Sequence, residues 1–242
     1  MISCNSGVFL HKTSYSMKFT YYGHSCFSVE IKGQHILFDP FISPNELAKE
    51  IDVDSLKVDY ILISHGHVDH LADAERLALR TDATIVSNFE IVSWFQNKGL
   101  EKGHPMNHGG SWQFDFGKVK FVNAVHSSVL PDGAYGGNPG GFVIESEEGS
   151  FYYAGDTALT MDMQLVGKQH KLDFCVLPIG DNFTMGVDDA IMASDFVECP
   201  KVIGVHYDTF GYIVLDKEVA LKKFTDKNKE LVLLNIGETK EV

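Results

Sequence analysis

Tyr60-Ile61-Leu62-Ile63-Ser64-His65-Gly66-His67-Val68-Asp69-His70 sets three imidazoles and a carboxylate directly after an apolar run. The run predicts a short buried strand, so His65, His67, Asp69 and His70 fall on the loop that leaves it. Neutral imidazole is the commonest protein ligand for metals, and a carboxylate accompanies it in catalytic zinc sites. On a tight loop His65 and His67 converge on one ion, while Asp69 and His70 point past it toward a second. The pattern predicts a two-metal site, and such a site needs further ligands from elsewhere in the chain.

Three other apolar runs supply candidates. Val119–Val125 alternates as a strand and ends on His126, Lys201–Val205 ends on His206, and Phe151–Gly155 ends on Asp156. Strand ends on one rim of a sandwich converge. The expected set is His65, His67 and His126 around one ion and Asp69, His70 and His206 around the other, with Asp156 bridging. Two divalent ions about 3.5–4 Å apart share a hydroxide generated at neutral pH, and the bridging carboxylate offsets their repulsion. Zinc suits these donors best, although Mn2+, Fe2+ and Ni2+ accept the same set. A lone histidine at a strand end is more often a hydrogen-bonded rim residue, and Asp156 before Thr157 also reads as a cap. The 65–70 cluster, which needs partners, tips both readings toward ligation.

The chain states one pattern twice. Phe27–Asp39 reads as strand, glycine turn, strand, aspartate, and Phe142–Asp156 repeats that order. Apolar runs at Asp59–Ile63 and Asp173–Ile179 follow in turn. Helices are expected over Ala72–Arg80, Phe89–Lys98, Gly186–Val197 and Lys217–Phe224, with a closing strand over Leu231–Asn235. The predicted architecture is α/β in layers: an αββα sandwich of two mixed β-sheets with helices on the outer faces. Residues 1–16 read as a poorly ordered N-terminal extension and 17–242 as one domain.

Composition bounds the function. With 242 residues, 44% of them hydrophobic, and 17 Phe, the chain can build a large core. A net charge of −13 with no basic stripe speaks against non-specific nucleic-acid binding. Bound metal reverses the local sign within a cleft, so a phosphate-bearing substrate stays open. Cys4, Cys26, Cys175 and Cys199 are scattered, as expected of reduced thiols in a cytoplasmic protein. No apolar run approaches the roughly 20 residues that span a bilayer, and the opening stretch lacks the charges of a signal peptide. A small-molecule substrate is the expected partner, and a homo-oligomer is left open.

Taken together, His65-x-His67-x-Asp69-His70, His126, Gly155-Asp156 and His206 resemble the metallo-β-lactamase superfamily. Tyr22–Phe27, Phe38–Phe41, Gly137–Phe142, Pro178–Met185 and His206–Phe210 are similar to a subgroup of small metal-dependent hydrolases. That subgroup resembles L-ascorbate-6-phosphate lactonase and, more distantly, N-acyl-phosphatidylethanolamine phospholipase D. The resemblance implies a hydrolase that cleaves a small ester, lactone or phosphoester. His67 stands where redox diiron members carry glutamate, which disfavours oxygen reduction, and Gly211 stands where proline is expected. Asp69 and Asp156 are candidates for handling the proton, and His24 for binding the oxyanion or protonating the leaving group. Asp39 orients a ligand histidine or shapes a turn. Gly133–Gly141 reads as a mobile flap, and Asn182, Phe183, Thr184 and Met185 as pocket wall with Tyr207 and Asp208 nearby. His104 and His108 are expected in solvent. Two other readings stay open: a phosphodiesterase or nuclease for small nucleotides, and a non-catalytic metal-binding protein. Against the latter, every ligand position is filled.

Overall fold

The computed structural model describes residues 16–242; the extension expected over residues 1–16 lies outside them, Ser16 excepted. The first sheet grows from β1 (Lys18–Gly23) and β2 (Cys26–Ile31), whose alternate residues Phe19, Tyr21, Phe27, Val29 and Ile31 are buried. Lys32 and Gly33, at φ 52° and 74°, make the two-residue turn into β3 (Gln34–Phe38), the left-handed geometry that matches strand twist. Parallel partners β4 (Tyr60–Leu62), β5 (Thr84–Asn88) and β6 (Gly103–Met106) extend the sheet.

The second sheet contains β7 (Ser111–Gln113), β8 (Lys118–Asn123), β9 (Gly140–Glu145), β10 (Ser150–Tyr153), β11 (Phe174–Pro178), β12 (Lys201–Val205) and β13 (Glu230–Val232). The last strand, β14 (Thr239–Glu241), returns to pair with β1, so each sheet has seven strands. The internal repeat is real at the level of pairing. In both halves a hairpin (β2–β3, β9–β10) is followed by a parallel neighbour (β4, β11). The expected closing strand is present as β13, but the return of β14 to the first sheet had no signal beyond a short polar tail.

Aromatic rings fill the space between the sheets. Phe19, Phe27 and Phe38 stack at centroid spacings of 4.7 and 4.5 Å, and Tyr153 meets Phe27 edge-on at 5.0 Å. Offset stacks and edge contacts use the ring quadrupole as well as buried area. A second apolar layer lies under α4 (Met163–Gln169), α5 (Val187–Phe196) and α6 (Lys217–Thr225), and a third under the helices of the first half. The result is the αββα sandwich the pattern predicted.

In the first half the helix expected over Ala72–Arg80 is present but starts two residues later, at Ala74, behind a separate short turn. The structure has α1 (Val68–Leu71), then α2 (Ala74–Thr81), then α3 (Phe89–Asn97). Asp73 causes the break between α1 and α2: its N–H donates to Pro40 O at 3.0 Å. Its carboxylate accepts from Ile42 N at 2.7 Å and Ser43 N at 2.8 Å. Asp69 and His70 therefore ride on a short helical turn and not on an open loop.

Phe38→Ala removes the ring at the centre of the inter-sheet stack. It is expected to cost about 3–5 kcal/mol, read as a lowered urea midpoint with an unchanged slope.

Candidate metal centre

The parallel strands all run toward one rim, and the ligand-type residues sit just past their ends. Asp39 follows β3, and its buried carboxylate is the fixed point. It accepts from Ser64 N at 2.7 Å, Ser64 Oγ at 2.5 Å, His70 Nδ1 at 2.7 Å and Tyr153 Oη at 2.6 Å. Because the Ser64 hydroxyl donates to Asp39, it accepts from His65 Nδ1, 2.9 Å away. That places the His65 proton on Nδ1 and frees Nε2. His70 likewise donates through Nδ1, so its Nε2 faces the centre. One carboxylate thus selects the tautomer of two imidazoles, the role that outer carboxylates play around metals. Of the two readings for Asp39, the geometry supports orientation.

His65 Nε2 lies 2.9 Å from His67 Nδ1. His126 completes that trio, whose ligand atoms lie within 4.8 Å of one another. A second group, also within 4.8 Å, joins Asp69, His70 and His206 with His24. Asp156, after β10, stands between the groups. Its Oδ2 is 2.9 Å from His206 Nε2, 3.2 Å from His70 Nε2 and 3.6 Å from His126 Nε2. All seven sequence-derived candidates therefore lie together, with His24 joining the second group.

His24 is brought in too, but behind the others. Its side chain is fully buried, and Nε2 lies 3.2 Å from Asp69 Oδ2 while Nδ1 lies 3.0 Å from Thr209 Oγ1. The open cleft is lined instead by His67, Asp69, His126, Asp156 and His206.

The donor set fits a divalent cation. It is all imidazole and carboxylate, since Cys26 lies in the apolar layer under the first-half helices, which points away from sites of soft thiolate character. Three buried atoms of this cluster, His70 Nε2, Asp156 Oδ1 and His206 Nδ1, have no hydrogen-bond partner among the described residues. Buried unpaired polar atoms are costly, and coordination would satisfy atoms of this kind.

Several neighbours differ from expectation. Of the wall predicted near Met185, Phe183 alone lines the cleft; Met185 and Tyr207 are buried in the core. Asp181 and Asn182 turn the chain at φ 64° and 53°, and neither Asn182 nor Thr184 lines the cleft. The 133–141 segment is no free flap. Asn88 Nδ2 donates to Gly136 O at 2.7 Å, Gly66 N donates to Ser128 Oγ at 3.0 Å and Gly140 N to Ser64 O at 3.0 Å. A Cβ on Gly66 would come within 3.3 Å of Gly136 Cα, so the two glycines permit this close approach. His108 is not simply solvated: it stacks on Phe121 at 5.0 Å and its Nε2 meets Pro139 O at 2.9 Å. Sequence reasoning missed Ser64, Tyr153 and Thr209. Only Tyr153 carried a signal, because alternation with Phe151 puts its hydroxyl inside, where it needs an acceptor.

Comparison with known proteins gives concordant findings. The model of the beta-lactamase superfamily domain matches residues 18–206. A metal-dependent hydrolase of Christiangramia forsetii is 60% identical over 227 residues, covering 93% of this chain and all of that protein. One from Bacillus subtilis is 42% identical over 93% of this chain and all of its own length. The metallo hydrolase Igni18 from the archaeon Ignicoccus hospitalis superposes with a TM-score of 0.85 at 33% identity, covering 94% of this chain and 98% of that one.

The electrostatics set the protonation of the cluster. Burial pushes the imidazoles of His65, His67 and His126 below their ordinary value, leaving them neutral near pH 7 with lone pairs available. For His70 burial acts the same way, but the carboxylates of Asp156 and Asp39 outweigh it and raise the ring above its ordinary value in the metal-free centre; a cation at Nε2 would take the place of the proton held there. Burial would raise Asp69, but the hydrogen bond from His24 and the nearby imidazoles keep it well below the usual carboxylate range. Burial drives His24 down to about 4, against the pull of Asp69. With the ring neutral and Asp69 ionised, the His24 proton sits on Nε2 and Thr209 donates to Nδ1.

A depressed histidine contributes stability that is intact above the unfolded-state value near 6.5 and is lost as pH falls through the folded value. For His24 that window runs from about 6.5 down to about 4. Metal-free wild type is expected to lose about 2–3 kcal/mol more stability than His24→Gln between pH 7 and 4.5. Urea titrations at the two pH values check this, and equal losses would refute it.

Proposed function

Because the chain belongs to the beta-lactamase superfamily and, within it, to the metal-dependent hydrolases, we propose that it hydrolyses a small ester, lactone or phosphoester at a centre of two divalent cations. His65, His67 and His126 would hold one ion and Asp69, His70 and His206 the other, with Asp156 placed between the two groups. Zinc is the ion this donor set suits best. When bound, such ions polarise the scissile group and lower the pKa of water, which is the chemistry a neutral-pH hydrolase needs. The observation that carries this reading is the convergence of ligand atoms from four separate strand ends into two groups that Asp156 joins.

The chain's own groups do the rest. Asp69 presents 26% of its side chain to the cleft. Its Oδ2 is engaged by His24; in this scheme the carboxylate receives a proton from the attacking water through its other oxygen and passes it to the leaving group. His24 acts through Asp69 in this scheme, holding that carboxylate ionised and in place, since its own ring has no surface in the cleft. Asp39 and Ser64 keep His65 and His70 in the tautomers that present Nε2. The substrate is a small molecule, because the cleft has the size of a metabolite site and not of a macromolecular groove.

Protein isolated without a histidine tag is expected to carry two equivalents of divalent metal by elemental analysis. A natively isolated sample that never exceeds one would overturn the two-ion assignment. His65→Ala and His126→Ala are expected to lose at least one equivalent and to cut kcat/KM by about a thousandfold, the scale of several kcal/mol of lost charge stabilisation. Panels of lactone, thioester and phosphodiester substrates on metal-loaded protein supply the rates. Asp39→Asn should lower stability and also weaken metal binding by about 10–100-fold, measured on the folded fraction by competition with a chromogenic chelator.

A further inference from the structure

Beyond the candidate ligands, the cleft is walled by rings and not by charges. Its cavity of about 660 Å3 is bounded on one side by Phe183, in the loop after β11, and by Phe210 and Tyr212, in the loop after β12. These rings are 48%, 37% and 78% exposed. Large apolar side chains gathered at the mouth of a cleft mark a binding surface more often than scattered ones do.

The rings are also held in place. Phe183 and Tyr212 meet edge to face at 6.0 Å, which ties the two loops together. Phe210 lies 5.3 Å from the His24 ring and 6.4 Å from Phe41, so its position is set relative to the metal cluster. Both loops depend on non-glycine residues in the left-handed region: Asp181 and Asn182 in one, His206 at φ 58° and Asp208 at φ 64° in the other. Such backbone strain persists only where the surroundings over-determine it.

No lysine or arginine is among the described residues lining the cleft. The cation nearest in sequence to the aromatic loop, Lys217, is paired with Asp208 at 3.0 Å and lies over the Tyr207 ring at 5.3 Å. A phosphate or carboxylate carried away from the reacting group would lose hydration at this wall and find no charged donor in return.

We propose that the cleft selects an uncharged substrate bearing an aryl or extended alkyl group beside its hydrolysable acyl centre, with Phe183, Phe210 and Tyr212 as the residues that determine specificity. The turnover part rests on the hydrolase reading above; the binding part does not. In the reaction one water is consumed: its oxygen bonds the acyl carbon, the acyl–oxygen bond breaks, and the alcohol leaves with a proton.

Two measurements test this. Metal-free protein is titrated calorimetrically with N-butylbenzamide and with N-(3-carboxypropyl)benzamide, which differ in a terminal carboxylate. The neutral amide should bind about tenfold tighter or more, and Phe183→Ala and Tyr212→Ala should each erase most of that margin; tenfold corresponds to about 1.4 kcal/mol. Both side chains are solvent-exposed, so neither substitution threatens the fold. Metal-loaded protein is then assayed with 4-nitrophenyl hexanoate and mono-4-nitrophenyl adipate. The expected preference is again about tenfold in kcat/KM for the neutral ester, lost in the same variants mainly through KM. Equal or tighter binding of the carboxylate, or a preference that survives both substitutions, overturns the specificity. Absence of ester turnover with the amide preference intact would instead count against the hydrolase reading alone.

Discussion

The buried carboxylate of Asp39 is the constraint on which the centre depends. A carboxylate removed from water is tolerated only when donors replace its hydration, and here four do so. Those donors come from different layers. Ser64 and His70 belong to the crossover after β4, while Tyr153 reaches across from β10 in the opposite sheet. The same bonds that satisfy the charge therefore dock the two sheets at the rim and set the ring orientation of His65 and His70. Fold stability and site geometry share these contacts, which is why Asp39 sits at φ 42° in a region most residues avoid.

Close backbone approach does the complementary work. Gly155, at φ 63°, precedes Asp156, and a side chain there would strike Gly140 O and the Ser64 side chain. Gly180 has no room for a methyl against His206 O. These glycines let the loops bearing Asp156, His206 and the 64–67 turn lie against one another, close enough for side chains as short as aspartate to meet.

Much of this was legible in the sequence. His65, His67, Asp69 and His70 announce themselves by spacing, and His126, Asp156 and His206 by ending apolar runs. A parallel sheet puts such ends on one side. The sandwich followed from the doubled hairpin pattern. Less legible were features decided by tertiary contacts. The break at Asp73 depends on where Pro40, Ile42 and Ser43 pass, and no local propensity encodes that. The burial of His24 depends on Phe41 and Thr209 closing over it, residues far apart in the chain. The 133–141 segment looks mobile from composition alone, yet its glycines serve contact with Gly66 and Asn88.

The charge distribution ties the remote surface to the cleft. The chain carries a net charge of −13, and two of its carboxylates, Asp69 and Asp156, line the cavity itself. Two divalent cations at the centre would outweigh those two carboxylates, but their field would act first on the ligands and on the reacting oxygen. At physiological ionic strength the screening length is about 8 Å, so the mouth of the cleft, lined by aromatic rings, is governed mainly by its own groups. An anionic tail there would meet a desolvation cost, whereas a neutral apolar group would meet none and would cover exposed rings. Lys217, the cation nearest in sequence to that loop, pairs with Asp208, whose other carboxylate oxygen accepts from Leu215 N and so holds the turn that carries Phe210 and Tyr212. The carboxylate that holds the aromatic loop is thus also the one that Lys217 pairs with.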